Sequence, residues 1–272
     1  MPLERFRVSF GSGAARALQA GPPPREYPWA SLDPARYPAE LVRRARRSWT
    51  ENAFNEHCTF IVLGQMLKAL GEAQAPLDLA RMASRFPEEE IVHVELCARM
   101  ATALGGLWPR TFDPDGVAIA LDPSLSLRQR ADELVVRICC VGEAFSLPML
   151  GGALRSAAHP LSRAVLTTIV EDEALHGRFG YLYLAWAESE WTLAERDRLG
   201  KAASAALTAF APLWQRLTSR VVDGVTREGF LLEHVHELGW MESTAYRALA
   251  LETVERAVRA PLAKLGVQVV VP

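Results

Sequence analysis

From residue 39 onward, apolar side chains recur every three to four positions, the period of an α-helix with one buried face. Trp49, Ala53, Phe60 and Leu63 make the first such stripe. It predicts a helix from about Ala39 to about Leu70, stopped at Gly71. A second helical pattern ends near Leu104, before Gly105-Gly106. Pro87 gives this segment two readings. It is either the first-turn proline of a fresh helix, with Glu88, Glu89 and Glu90 near the positive helix end, or a kink in a longer helix starting near Leu77. The kink is the reading adopted. Residues 105–124 carry Gly, Pro, Asp-Pro and Asp-Gly and form a long connection. Further helices are predicted over about Ser126 to Arg155 (with a kink at Pro148), Pro160 to Ser189, Leu193 to Ser219 and Met241 to Leu265. Residues 267–271 read as a short extended piece. The layout is two helices, a long connection, two helices, and then additions.

Composition adds boundaries to this picture. Residues 1–37 are rich in Gly and Pro and read as an irregular arm; 38–190 hold the four main helices; 191–272 hold C-terminal helices packing on them as one domain. Half of the 272 residues are hydrophobic, enough for one large core. The formal net charge of −2 asks for neither nucleic acid nor an anionic membrane. The basic run Arg43-Arg44-Ala45-Arg46-Arg47 sits on a helical pattern and reads as a solvated face. The start lacks the layout of a signal peptide, and no apolar run reaches the roughly 18 residues of a membrane span. Cys58, Cys97, Cys139 and Cys140 lie inside helical patterns without zinc-site spacing, as buried thiols of a cytoplasmic protein do.

The chemistry lies in two Glu-x-x-His segments, Glu90-Ile91-Val92-His93 and Glu173-Ala174-Leu175-His176. An i, i+3 pair projects from one helix face, so a carboxylate and an imidazole from one helix can hold one metal ion. One such segment is weak evidence, but each of these is preceded by a helix with an inward glutamate. Glu143 shares its face with Val136, Cys139, Cys140, Leu147 and Leu150, where an unpaired carboxylate would cost several kcal/mol, a problem that metal coordination removes. On the first helix Glu51 lies on a wet face with Arg47, Ser48 and Asn55, while Glu56 lies with Trp49, Ala53, Phe60 and Leu63. Glu56 is therefore the ligand of choice and Glu51 is expected to be nearly silent. The separations agree: 34 residues from Glu56 to Glu90 and 30 from Glu143 to Glu173, which places all four ligand-bearing positions at one depth.

Glu…Glu-x-x-His…Glu…Glu-x-x-His on four helices resembles the ferritin-like di-metal carboxylate superfamily. That group includes bacterioferritin, rubrerythrin, ribonucleotide reductase small subunits, bacterial multicomponent monooxygenases and the arylamine N-oxygenases. The resemblance covers about residues 40–190. It implies an all-α, ferritin-like four-helix bundle with a long crossover between its second and third helices. It implies Glu56, Glu90, His93, Glu143, Glu173 and His176 as ligands of two iron ions, or of one iron and one manganese, with Glu143 or Glu173 bridging. Asp172-Glu173-Ala174-Leu175-His176 resembles the Asp-Glu-x-x-His of the reductase and oxygenase members. By that analogy Asp172 orients His93 and Glu89 orients His176. The activity implied is reduction of dioxygen to oxidise a small organic substrate, with a ferredoxin- or flavin-type electron donor. A ferroxidase or iron-storage protein, and a radical-generating or ligand-binding scaffold, are the alternatives.

Other polar residues have plainer readings. His57, one residue after Glu56, faces packing or surface; His159 sits at a helix junction; His234 and His236 lie in a polar linker. Tyr181 and Tyr183 pack in the core or at an interface, and Glu95 and Glu171 are surface acids. Gly177 and Gly180 leave room for a close helix, a channel or dioxygen. The C-terminal helices suit a cap that shapes a substrate pocket, or the face of a homodimer.

Overall fold

The computed structural model describes residues 3–9, 25–215 and 221–271. These are mostly helical, with two pairs of two-residue strands. The first helix, α1 (Ala39–Glu72), is followed by the short α2 (Leu77–Ala83) and by α3 (Phe86–Ala103). Next, α4 (Leu127–Val135) opens on a capping box in which Ser126 and Gln129 satisfy each other's backbone N–H groups. It continues through a π-helical stretch, Val136–Glu143, into α5 (Ala144–Ser156). The next helix, α6 (Pro160–Ala187), is capped by His159, whose Nδ1 accepts the Leu161 N–H at 3.1 Å. Five shorter helices follow: α7 (Leu193–Phe210), α8 (Pro212–Gln215), α9 (Leu232–Glu237), α10 (Ser243–Thr253) and α11 (Ala260–Lys264). A second π-helical stretch, Val254–Arg259, joins the last two.

Two hydrophobic clusters occupy the two ends of the helical array. In α1, Trp49 and Phe54 belong to one cluster, Leu63 and Leu70 to the other. In α6, Leu161 and Ile169 belong to the first, Phe179 and Leu184 to the second. The order reverses in α3, where Phe86 joins the second cluster and Leu96 and Met100 the first. It also reverses in the α4–α5 run, where Leu134 and Val135 join the second and Leu150 and Ala153 pack on the first. The four long helices therefore run up, down, down, up. Consecutive parallel helices need a connection that returns the length of the array. Residues 104–126 supply it by running back along α1. Arg46 donates to the carbonyls of Gly106 and Leu107, the Thr50 hydroxyl accepts the Trp108 N–H at 2.9 Å, and Gln65 exchanges hydrogen bonds of 2.8 and 3.0 Å with the Ile119 backbone.

Several sequence expectations change here. Pro87 does not kink a long helix: the chain turns at Ser84-Arg85 and Pro87 sits in the first turn of α3. A proline is tolerated there because the N–H it lacks would have no intrahelical partner. The arm contributes a strand, β1 (Glu4–Arg5), paired antiparallel with β2 (Thr111–Phe112) of the crossover. The second pair is β3 (Val221–Val222) with β4 (Val225–Thr226). His234 and His236 lie on α9 rather than in a linker. The helix expected to reach Ser219 ends at Phe210, before the Pro212 that opens α8; positions 216–219 lie outside the described residues, as do 10–24 of the arm. The tail joins no sheet, although Val267 and Val269 are buried while Val270 is exposed, the alternation of extended chain.

The helical run Leu127–Ser156 is long and apolar enough to cross a membrane by length and composition, with 61 % of its most apolar window buried inside the fold. Its apolar residues have protein neighbours. Gly177 and Gly180 of α6 face it: a Cβ on Gly180 would lie 2.7 Å from Sγ of Cys140 and 2.9 Å from Cβ of Cys139. Gly180 serves close helix approach.

Candidate metal centre

Between the two hydrophobic clusters lies a band of charge. Glu56 comes from α1, Glu90 and His93 from α3, Glu143 from the end of the π-helical stretch, and Glu173 and His176 from α6. Glu90, His93 and His176 have no solvent exposure, and Glu143 and Glu173 are buried. Glu56 is partly open. Their donor atoms form two groups, Glu56, Glu90, His93 and Glu173, and Glu90, Glu143, Glu173 and His176, each with atoms within 4.8 Å of one another.

Glu90 and Glu173 belong to both groups. One oxygen of Glu90 lies 3.4 Å from Nδ1 of His93 and the other 3.1 Å from Nδ1 of His176. Glu173 repeats this at 3.4 and 3.2 Å. The shared positions therefore fall to the two Glu-x-x-His glutamates: of the two residues expected to bridge, Glu173 lies in both groups and Glu143 in one, and Glu90 takes the second shared place. The two Glu-x-x-His segments meet between the groups, and Glu56 and Glu143 each complete one of them.

The other ring nitrogen of each histidine is held from outside. Nε2 of His93 lies 3.3 Å from Asp172 and Nε2 of His176 lies 2.9 Å from Glu89. Arg85 in turn donates to Glu89 at 2.9 Å. The Phe86 ring sits 4.2 Å from that of His176 and shields it. With Nε2 occupied, Nδ1 of each ring points into the cluster. Both oxygens of Glu90, one of Glu173 and both Nδ1 atoms complete no hydrogen bond among the described residues. Buried polar atoms are rarely left so.

The electrostatics match. Glu56 and Glu143 are driven well above the usual carboxylate range, first by burial and then by repulsion from Glu90 and Glu173. The His176 imidazole is pushed up to about 12: burial opposes the shift, and its contacts with Glu173, Glu89 and Glu90 outweigh it. His93 moves the same way against burial, through Asp172, Glu173 and Glu90. Glu173 moves down, its contacts with His176 and His93 overcoming burial. Four carboxylates gathered in a dry interior with two imidazoles call for cations, and a mixed oxygen and nitrogen donor set fits first-row divalent metals such as iron or manganese. The residues could hold metal in two adjoining positions. Cys97 and Cys139 border the cluster as thiols, kept protonated by burial and then by neighbouring glutamates, Glu56 beside Cys97 and Glu143 beside Cys139.

A cavity of about 610 Å³ opens onto one side of the cluster. Glu56, Glu143 and Glu173 line it; neither histidine does. Its other walls include Ile138, Phe145 and Met149 of the α4–α5 run. They also include Phe210 of α7, Trp240 and Met241 of the segment after α9, and Tyr246 of α10. The C-terminal helices thus shape the pocket.

Several polar residues lie elsewhere than expected, or were not singled out. Glu51 is not on a free wet face: it pairs with Arg110, whose guanidinium lies 3.9 Å over the Phe54 ring. His57 stacks among Phe6, Phe54, Phe60 and Phe112. Asp132 went unnoticed in the sequence. It is buried, accepts from Tyr183 at 2.7 Å and Trp191 at 2.9 Å, and pairs with Arg128 at 3.1 Å. Its spacing from Val136 and Cys139, i+4 and i+7, was the available signal.

The chain matches no protein-family model and no curated protein sequence.

Proposed function

We propose that this chain is a di-iron oxidase or oxygenase of the ferritin-like superfamily, using dioxygen to oxidise a small organic molecule held in the cavity. The observation that carries this reading is the meeting of a largely apolar cavity of about 610 Å³ with three glutamates of a six-residue donor cluster, five of whose members are buried. The size suits a small-molecule site. The up, down, down, up course of the helices with one long crossover supports the ferritin-like part of this reading.

Two ferrous ions, when bound, supply the electrons for dioxygen reduction. The chain's own residues do the rest. The four glutamates offset the charge of the ions. Asp172 and Glu89 hold the Nε2 side of each imidazole and so present Nδ1 inward. Phe86 and the two hydrophobic clusters exclude water from the histidine side. The cavity admits substrate on the carboxylate side, where Glu56 is partly open. A ferredoxin- or flavin-type protein is the proposed electron donor.

The test is elemental analysis of purified protein, followed by anaerobic ferrous loading and oxygen-uptake measurement. Two irons per chain with oxygen uptake support the reading. Loading well beyond two per chain favours iron storage, and one manganese with one iron favours a radical or ligand-binding scaffold. Normal metal content in both Glu143→Ala and His93→Ala would remove the assignment.

A further inference from the structure

Among the described residues that line the cavity, Arg137 is the sole lysine or arginine. It stands on the π-helical stretch six residues before Glu143, on the order of 9 Å along the axis at helical rise. Its surroundings leave it under-compensated. Nη1 lies 3.4 Å from Glu133 and 3.5 Å from the Ala120 carbonyl, both long contacts. The Glu133 carboxylate is held more closely by Arg198, at 2.7 Å. Nε of Arg137 is buried and completes no hydrogen bond among the described residues. One carboxylate therefore serves two guanidiniums, and Arg137, the one of the two residues that lines the cavity, is the less well matched. The nearby Asp132 is already engaged by Arg128, Tyr183 and Trp191.

The lining also carries Asn52, Asn55, Thr59, Ser146 and the three glutamates, but much of it is apolar, with Ile138, Phe145, Met149, Leu150, Phe210 and Leu213. A planar guanidinium at a largely apolar cavity is suited to receive a carboxylate. We infer that the cavity takes an amphipathic monocarboxylate, with its carboxylate on Arg137 and its apolar body along these residues, so that a carbon remote from the carboxylate lies against Glu143. This rests on the cavity being the substrate pocket of the proposed oxidase. It narrows the substrate class to organic anions and sets the position of attack away from the charged end. Arg137 is a substrate-binding residue in this scheme and holds no metal.

The experiment uses chelator-treated full-length protein, so that binding is read without metal or turnover. Decanoate and decanol are titrated by calorimetry into the parent, Arg137→Leu and Arg137→Lys. The parent is expected to bind decanoate about tenfold or more tightly than decanol, since a charged hydrogen-bonding pair is lost with the alcohol. Arg137→Leu should reduce decanoate to the level of decanol while leaving decanol unchanged, and Arg137→Lys should restore part of the preference. Equal binding of acid and alcohol by the parent, no binding of either, or an acid preference that survives in Arg137→Leu would overturn the inference. Iron loading of Arg137→Leu is measured in parallel. Normal loading with lost acid preference supports both readings. Failure of the parent to load iron overturns the oxidase reading and leaves the anion measurement to stand or fall by itself.

Discussion

Nε2 of His176 lies 2.9 Å from a carboxylate oxygen of Glu89, the residue directly before Glu90 on the neighbouring helix. Asp172, directly before Glu173, stands likewise 3.3 Å from Nε2 of His93. Each Glu-x-x-His helix thus offers one acid inward and the preceding acid to the other helix's histidine. Glu89→Ala and Asp172→Ala should each weaken metal affinity by about 10- to 100-fold while leaving the fold intact. Competition against a chromophoric chelator measures this. Unchanged affinity in both would mean that these acids only solvate the rings.

The metal-free protein should lose stability as pH rises from mild acid. Glu56 and Glu143 are raised, chiefly by burial, so the folded state keeps protons that the unfolded chain releases above about pH 4.3. His176, raised to about 12, contributes stability that is complete below about 6.5 and declines above it. Glu173 is lowered, so its opposite contribution is already complete above the ordinary carboxyl range. The melting temperature of chelator-treated protein should fall between about pH 5.5 and about pH 8, and bound metal should flatten the slope. A rise across that window in metal-free protein would contradict this account.

Gly180→Ala should destabilise the fold by about 1–3 kcal/mol, because the new methyl would meet Cys140 and Cys139. Gly177→Ala is the control. Its Cβ would meet Leu147 Cδ2 at an ordinary 3.5 Å, and alanine suits a helix better than glycine. Denaturant titration should separate the two variants by sign or by size.

Asp132→Ala should cost more than about 2 kcal/mol, since it strands the buried Tyr183 hydroxyl and Trp191 N–H together. Denaturant unfolding reads this directly, and the metal content of the folded variant should be unchanged. Loss of metal alongside normal stability would show that the network serves the cluster instead.

Periodicity made the long helices readable, because burial of one helix face is a local property of the sequence. It also separated Glu56 from Glu51, since the two differ in which neighbours share their face. What stayed hidden depends on partners distant in the chain. Glu51 meets Arg110 across 59 residues, and nothing near Glu51 announces that pairing. The π-helical stretch that ends at Glu143 carries no local residue signal for its wider turn. Pro87 was ambiguous because a proline suits both a first turn and a kink, and only the turn at Ser84-Arg85 decides between them. The cavity depends on how α7 and α10 meet the α4–α5 run, which no single segment encodes.

The donor cluster draws on α1, α3, α6 and the π-helical stretch, whereas much of the cavity wall comes from Ala206, Phe210, Leu213, Trp240, Met241 and Tyr246. Those wall positions lie after the last donor, His176, in the chain. Substitutions in the final third of the chain can therefore remodel the cavity wall while every one of the six donors stays in place.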